Sequence, residues 1–304
     1  MSATRFGLRI RLLLPLVAAL ALAVPAPAQT IDVVATTSSM GVLARVVGGP
    51  AVKVTVLAPP DRDAHYLIAR PSMMLALRRA DLLVAVGADL EVGWLPAALR
   101  SAGNRKVLPG QPGYFEGAAH VDLLEKGQAA DRSRGDVHPA GNPHYYMDPL
   151  RLSGAARALA SHLARLRPGS ATAFAANADA FAKAASERVV QWKARAAGAP
   201  GVLLFHKDVN YLADLLGVPI VGYVEPVPGV PPTASHLRDL VTRLQGTRGV
   251  ILHAAFQPSD GPQYLAKNLG WPVQRLQLEP PPDADLPAYL AHVERWVAAV
   301  ASAK

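Results

Sequence analysis

The sequence predicts an α/β protein of two lobes, each with a mainly parallel sheet flanked by helices, joined by one long rigid connecting helix. Three observations lead to this prediction. Short apolar segments alternate with helical segments over residues 31–99, the same alternation resumes after residue 201, and an alanine-rich run without glycine or proline lies between them. Strands that alternate with helices pair in parallel, because a parallel connection needs a crossover that a helix can supply.

The chain opens with the pattern of a secretory signal peptide, which we assign to residues 1–28. Arg5, Arg9 and Arg11 precede an apolar run too short to span a bilayer, and Ala26-Pro27-Ala28 supplies the small residues that a signal peptidase requires. We therefore expect a soluble secreted protein that begins near Gln29. No cysteine follows the cleavage site, so no lipid anchor is expected.

The composition limits the kinds of site and partner. The chain contains no cysteine, which excludes disulfides, thiolate metal ligands and thiol catalysis. The formal charge of +8 falls to +5 once residues 1–28 and their arginines are removed. Because the basic residues are scattered and not interleaved with aromatic residues, nucleic acid is not an expected partner. Any zinc site must use nitrogen and oxygen ligands.

The N-terminal lobe is predicted over residues 29–167. Its polar interval 125–141 contains glycine and has no usable periodicity, so it is predicted to be a mobile surface loop. Asp148 and Pro149 are the expected cap and first residue of a helix that closes this lobe. The predicted strands cover residues 31–35, 52–57 and 82–86, and the predicted helices cover residues 40–47, 71–80 and 91–99.

Residues 168–198 are predicted to form the connecting helix, and residues 199–304 the C-terminal lobe. The uninterrupted run 171–197 would measure roughly 40 Å at 1.5 Å per residue, enough to cross the whole molecule. In the C-terminal lobe the predicted strands cover residues 202–205, 218–223, 249–252 and 273–278, and the predicted helices cover residues 209–216, 234–244 and 286–301.

Three histidines occupy positions where α/β proteins gather ligands, namely the carboxyl ends of strands and the starts of helices. His65 follows the second strand, His206 follows the first strand of the second lobe, and His144 lies on a turn stiffened by two prolines. A single histidine of this kind is more often structural. Three of them from both lobes predict a metal site in the inter-lobe cleft, and nitrogen ligands favour Zn²⁺ over Mg²⁺ and Ca²⁺.

The mature chain resembles, over its whole length, the metal-binding class of periplasmic solute-binding proteins that serve ABC transporters for zinc or manganese. The most specific match is Gly141-Asn142-Pro143-His144-Tyr145 with Asp148-Pro149. The other matching segments are Asp63-Ala64-His65-Tyr66; Ala80-Asp81-Leu82-Leu83-Val84 with Gly87, Glu91 and Trp94; Phe205-His206 with Tyr211, Leu212 and Gly217; and Glu225-Pro226 with Pro228-Gly229, Pro231-Pro232 and His236.

The resemblance implies a site of three histidines and one carboxylate. His65, His144 and His206 become metal ligands, and Glu279 becomes the fourth, because the family often has an aspartate at the end of the last strand. His253, Asp260 and water remain alternatives for the fourth position. A histidine at position 206 favours zinc over manganese, since manganese-selective relatives tend to carry a carboxylate there.

Several other residues have expected roles. Asp63, Asp148 and Tyr66 are candidates to support the ligands, since a ligating imidazole usually donates its other N–H to an oxygen. His138, in the loop 125–141 with Asp131 and Asp136, is interpreted either as a transient collector of metal or as a solvated loop residue. His162 and His292 lie within predicted helices, where exposure is expected.

The resemblance implies a monomer without enzymatic activity that captures one Zn²⁺ per chain and delivers it to the membrane permease of an ABC transporter. A periplasmic metallochaperone that loads the site is a further candidate partner. The alternatives are a protein of the same class for manganese or another divalent metal such as copper, a binder of an organic metal chelate, and a secreted zinc hydrolase. No His-Glu-x-x-His helix supports the hydrolase.

Overall fold

The computed structural model describes residues 30–127, 135 and 137–303. The predicted signal peptide therefore lies outside the described residues, as do residues 128–134 and 136 of the predicted loop. In the part of the chain that is described, two sheets of four parallel strands each are flanked by helices. The predicted fold class is confirmed. No helix in this part combines the length and the apolar character needed to cross a membrane.

The first sheet is built from β1 (Ile31–Ala35), β2 (Val52–Val56), β3 (Leu82–Ala85) and β4 (Tyr114–Glu116), in the order β2-β1-β3-β4. Its central strand β3 is buried on both faces, as expected of a parallel sheet covered by helices. The helices of this part of the chain are α1 (Ser38–Gly48), α2 (Pro71–Arg79), α3 (Leu95–Ala102) and α4 (Pro149–Leu166).

The second sheet repeats the same topology with β5 (Val202–Leu204), β6 (Ile220–Tyr223), β7 (Val250–Ala254) and β8 (Val273–Leu276), in the order β6-β5-β7-β8. In each sheet the first strand of the lobe is an inner one, so its carboxyl end lies at the point where strand order reverses and ligands bind. The helices here are α5 (Ala171–Ala196), α6 (Asn210–Leu216), α7 (Ala234–Leu244), α8 (Asp260–Leu269) and α9 (Leu286–Ala301).

The predicted long helix is α5, a single helix of 26 residues. Its buried face includes Phe174, Phe181 and Trp192, which recur at helical spacing and face the core. It packs against α1 and α4 from one lobe and against α6 and α9 from the other. One continuous apolar cluster accordingly contains core residues of both sheets.

Some predicted elements differ from the structure. The helix predicted over 91–99 begins only at Leu95, because residues 91–94 form turns in which the Glu91 carboxylate is buried. The short strand β4 and the helix α8 were not predicted. The last strand ends at Leu276, so Glu279 follows it after a short connection, and His253 lies within β7 rather than after it.

Candidate metal centre

The three predicted histidines meet between the two lobes. His65, His144 and His206 each place one ring nitrogen so that the three nitrogens lie within 4.8 Å of one another. Their ring centroids are 5.2 to 5.7 Å apart, and the rings meet at steep angles rather than stacking. Converging imidazoles with their edges turned to a common point are arranged as the ligands of a metal ion are.

Each imidazole is held through its Nδ1 atom by an oxygen. Asp63 Oδ1 lies 2.7 Å from Nδ1 of His65, the Tyr146 hydroxyl 2.9 Å from Nδ1 of His144, and Glu225 Oε2 2.9 Å from Nδ1 of His206. A nitrogen that binds a cation must be unprotonated, so the proton of each ring must sit on Nδ1, where these oxygens accept it. The Nε2 atoms are thereby left facing the common point.

The Nε2 atom of His144 is buried and has no hydrogen-bond partner among the described residues. An unpaired buried nitrogen is costly, and such a group in a folded protein calls for an explanation. Burial, and then the charges of His65 and His206, lower the pKa of His144 well below its ordinary value. The ring is therefore neutral at physiological pH, which is the form that binds metal.

The pKa of His206 is shifted in the opposite direction to that of His144. Burial alone would lower its pKa, but the hydrogen bond to Glu225 and the charges of Asp208 and Glu225 outweigh burial and raise the pKa above the ordinary value. For Asp63, burial favours the neutral acid, yet the hydrogen bond and charge of His65 lower the pKa of the carboxyl. The Asp63 carboxylate therefore faces the His65 imidazole in a form that accepts a proton.

The turn that carries His144 is attached to the C-terminal half of the chain. Asn142 Oδ1 accepts the backbone N–H of His144 at 2.9 Å, and Asn142 Nδ2 donates to the Lys207 carbonyl at 2.9 Å. The Tyr211 hydroxyl donates to the Asn142 carbonyl at 2.6 Å. Because Lys207 follows His206 directly, these bonds fix two candidate ligands relative to each other.

For two of the predicted supporting residues, the contacts within the described part of the chain include no hydrogen bond to one of the three imidazoles. Asp148 caps α4 as predicted, accepting the N–H groups of Leu150 and Arg151 at 2.8 and 3.2 Å, and it also pairs with the Arg151 guanidinium. Tyr66 is 61% exposed, with its ring centroid 6.1 Å from that of His65. The support expected from these two is supplied instead by Tyr146 and Glu225.

Glu279 lines the same small cavity as the three histidines, and its side chain is buried. Its Oε2 accepts the N–H of Ser39 at 2.7 Å and the Ser39 hydroxyl at 2.8 Å, whereas Oε1 is buried with no partner in the described part of the chain. Burial, partly offset by the Ser39 hydrogen bonds, raises the pKa of the carboxyl to about 7. The alternative residues His253 and Asp260 do not line this cavity.

His138 lies beside His65 rather than in open solvent. Its Nδ1 is 3.0 Å from the carbonyl oxygen of Ala88, which accepts the N–H, and its Nε2 is 3.2 Å from Nε2 of His65. Ala88 and Asp89 both have left-handed backbone angles, φ 48° and 67°, in the turn that presents this carbonyl. When Nδ1 of both rings is protonated, the lone pairs of the two Nε2 atoms face each other and repel. A proton or a cation between the two Nε2 atoms relieves this repulsion. Asp131 and Asp136 lie outside the described residues.

The expectation that His162 and His292 are exposed is wrong. His162 Nε2 donates to the Pro112 carbonyl at 2.7 Å, and His292 Nε2 donates to the Leu278 carbonyl at 3.0 Å. Both rings are buried because their helix faces pack on the core and each satisfies a loop carbonyl. Burial lowers the pKa of His292 to about 4, and its bond to Leu278 orders the backbone next to Glu279.

Sequence reasoning matched two further residues to a motif without assigning them a role. Trp94 Nε1 donates to the Ala64 carbonyl at 2.8 Å and so holds the short helix Ala64–Tyr66 that carries His65. The buried carboxylate of Glu91 accepts the N–H of Val86 at 2.7 Å. Ser39 gave no sequence signal, because its contact with Glu279 depends on how the lobes pack.

Comparison with known proteins gives a consistent result. The family described as "Zinc-uptake complex component A periplasmic", or ZnuA, matches residues 33–303. The high-affinity zinc uptake system protein ZnuA of Yersinia pestis is 25% identical over 260 residues, which are 80% of this chain and 82% of that protein.

Solved structures share the fold. The crystal structure of ZnuA superposes with a TM-score of 0.75 at 20% identity, over 90% of this chain and 99% of the other. The Mn²⁺ complex of the solute-binding protein FpvC from Pseudomonas aeruginosa has a TM-score of 0.72 at 22% identity, over 90% and 98% of the chains. The cadmium-bound periplasmic metal-binding protein of Candidatus Liberibacter asiaticus has a TM-score of 0.72 at 16% identity, over 90% and 98%.

Proposed function

This chain belongs to the ZnuA family of periplasmic metal-binding components of ABC transporters, and on that premise we propose that it captures one Zn²⁺ and delivers it to a membrane permease. The observation that carries the proposal is the convergence of His65, His144 and His206, whose Nδ1 atoms are all engaged by oxygens. Such a set binds an ion without further ordering of its side chains, so little conformational entropy is lost.

We propose His65, His144, His206 and Glu279 as the ligands. The three histidines bind the ion through neutral imidazoles, and Glu279 contributes Oε1, its buried oxygen that has no hydrogen-bond partner among the described residues. Three nitrogens and one carboxylate form a set that suits tetrahedral Zn²⁺. His138, at 3.2 Å from His65, is proposed to meet the ion on its way in, which is the collector interpretation.

A different divalent metal is the second candidate. FpvC has been solved with Ni²⁺ and with Mn²⁺, and the Liberibacter relative with cadmium, so the fold accommodates several ions. The preponderance of nitrogen in the ligand set favours zinc over manganese, which prefers oxygen ligands. Copper(II) would bind nitrogen ligands more tightly than zinc in simple competition, so selection in the cell would depend on metal supply.

A secreted zinc hydrolase is not supported by the geometry. Glu225, an acidic residue beside the candidate metal centre that could be considered as a general base, is engaged through Oε2 by Nδ1 of His206 and by the N–H of Gly229 at 3.1 Å. We further propose that residues 1–28 direct export and that the protein acts as a monomer. The proposed N-terminal lobe covers residues 29–167, the connecting helix covers residues 168–198, and the C-terminal lobe covers residues 199–304. A loading metallochaperone remains a proposed partner.

The test is zinc stoichiometry and affinity on chelator-stripped protein, measured by competition with a zinc indicator. Wild type should bind one tight zinc, and alanine at position 65, 144 or 206 should weaken binding at least a hundredfold. His120→Ala is the matched control, since His120 is exposed and stacks on Phe115. Parallel titrations with Mn²⁺ and Ni²⁺ decide the metal. Zinc binding that is indifferent to His144→Ala would exclude the proposed site.

A further inference from the structure

A second and much larger cavity opens beside the candidate metal centre. The small cavity lined by the three histidines has a volume of about 10 Å³, which suits one ion or water. The neighbouring cleft has a volume of about 870 Å³ and is lined by both lobes. The walls of the two cavities have five residues in common: Arg62, Asp63, His206, Phe256 and Gln257. A space of this size is typical of sites for small organic ligands and far exceeds what a bare ion needs.

Three arginines line this cleft. Arg62 and Arg70 come from the N-terminal lobe and Arg275 from the C-terminal lobe, and all three are exposed. Among the described residues none of the three forms an ion pair, and Arg275 donates to the Ala255 carbonyl. Of the acidic residues in the cleft, Asp63 and Glu225 are already engaged by His65 and His206, and Asp61 is the third.

The position of Arg62 creates an electrostatic conflict in the loaded protein. Arg62 lines the cavity that would hold a divalent cation, and its guanidinium is always charged. Two positive charges on the walls of one cavity repel each other. An anion placed between the ion and the guanidinium would remove the repulsion. Carboxylates match the guanidinium fork in shape and bind it through two parallel hydrogen bonds.

We propose that the cleft binds a small polycarboxylate anion. One carboxylate of this anion contacts the bound Zn²⁺, and either the same carboxylate or a second one contacts Arg62. Arg70 and Arg275 bind the remaining carboxylates, so the anion is gripped from both lobes. Zinc accepts a fifth ligand, so this contact is compatible with Glu279 as the fourth. The inference rests on the proposed function and adds an organic anion to it: the cargo is held as metal plus carboxylate ligand.

The probe is radiolabelled citrate, in equilibrium dialysis against zinc-loaded and chelator-stripped protein. The loaded protein should retain one citrate per chain and keep its zinc, and the stripped protein should bind citrate at least tenfold more weakly. Arg62→Gln, Arg70→Gln and Arg275→Gln should each weaken citrate binding about tenfold, the effect of losing one charged hydrogen bond. The matched control is Arg100→Gln, an exposed arginine in α3 outside the cleft.

Zinc affinity without citrate is measured on the same samples, so failure of the metal site is seen separately from failure of the anion site. Without citrate, Arg62→Gln should bind zinc more tightly than wild type, because a nearby positive charge is removed. The proposal would be overturned if the zinc-loaded protein retained no citrate, or if the stripped protein bound citrate equally well. It would also be overturned if Arg100→Gln lost citrate binding as much as the cleft variants do, or if zinc left the protein together with citrate.

Discussion

Glu279 and Ser39 are in direct contact although 240 residues separate them in the sequence. The Glu279 carboxylate accepts both the N–H and the hydroxyl of Ser39, which lies in the first turn of α1. The first N–H groups of a helix lack partners within the helix and attract negative charge. The contact therefore joins the C-terminal part of the chain to the N-terminal lobe and fixes one oxygen of the proposed fourth ligand.

The first prediction concerns Glu279→Gln in the metal-free protein. The folded-state pKa of about 7 exceeds the unfolded value of about 4.5, so the folded state holds an extra proton between these pH values. The stabilising effect of this proton is complete below the unfolded pKa and is lost as pH rises through 7, a loss of about 3 kcal/mol by pH 8. Glutamine keeps the shape but does not ionise, so the variant should gain most of that amount relative to wild type between pH 5 and pH 8.

Urea unfolding of both stripped proteins at the two pH values measures this difference. Titration of His206 affects wild type and variant alike and cancels in the comparison. A stability difference between the two proteins that is the same at pH 5 and pH 8 would show that Glu279 is not protonated in the folded state.

The second prediction concerns Asp63, which accepts both the N–H and the Nδ1–H of His65. Asp63→Ala should weaken zinc binding about 10- to 100-fold, since outer partners orient the ligand and raise its basicity. Asp63→Asn keeps an accepting oxygen and should lose less. Asp122→Asn, which removes a surface partner of Lys126, is the control. If Asp63→Ala bound zinc as wild type does, His65 would not depend on this hydrogen bond.

The third prediction concerns the pH dependence of zinc binding. His206 has a raised pKa and must lose its proton to bind zinc. As the pH is lowered, zinc affinity should therefore already decrease before the pH reaches 6.5, the ordinary pKa of histidine. Ionisation of Glu279 near pH 7 acts in the same direction. His144 is already neutral over this range because its pKa is lowered.

Glu225→Gln tests the cause of that dependence. Without the carboxylate, burial dominates and the pKa of His206 falls, so the drop in zinc affinity should move to lower pH, even though affinity at pH 8 is weaker. Zinc competition titrations between pH 5.5 and 8 give both curves. Superimposable pH profiles, apart from a constant offset, would rule out Glu225 as the group that raises the pKa of His206.

The fourth prediction concerns His138. If it meets the incoming ion, His138→Ala should slow zinc association several-fold while changing the equilibrium affinity less than tenfold, because the proposed ligands remain. Stopped-flow mixing with a zinc indicator measures the rate, and His120→Ala is again the control. A loss of affinity as large as that of His144→Ala would instead make His138 a ligand, and an unchanged rate would leave it with a structural role.

Much of this architecture was accessible from local sequence patterns. The helices at 234–244 and 286–301 were predicted to the residue, because a capping side chain precedes each and apolar spacing continues through it. The strand β4 was missed because three residues are too few to show a period. The meeting of three histidines was predicted because the topology of an α/β fold brings the carboxyl ends of strands and the starts of helices to the same edge of a sheet.

Contacts that depend on tertiary packing were not accessible in this way. The role of Glu225 required knowing that β6 lies beside β5 and that the following loop turns back toward His206. The burial of His292 required knowing that Leu278 presents an unpaired carbonyl to α9. Helical periodicity predicts which face of a helix is apolar. A histidine on that face is classed as a polar, exposed residue unless the carbonyl that accepts its N–H is known.

The shared core around α5 has a consequence for how this protein can be divided or recombined. Phe181 of α5 stacks on Tyr289 of α9 with ring centroids 6.0 Å apart, and Trp296 is fully buried nearby in the same cluster. A polypeptide cut after residue 198 would leave large apolar surfaces on both fragments, so neither half would be stable alone, while the two expressed together should reassemble. Exchange of one lobe between relatives would have to carry matching α5 and α9 faces with it.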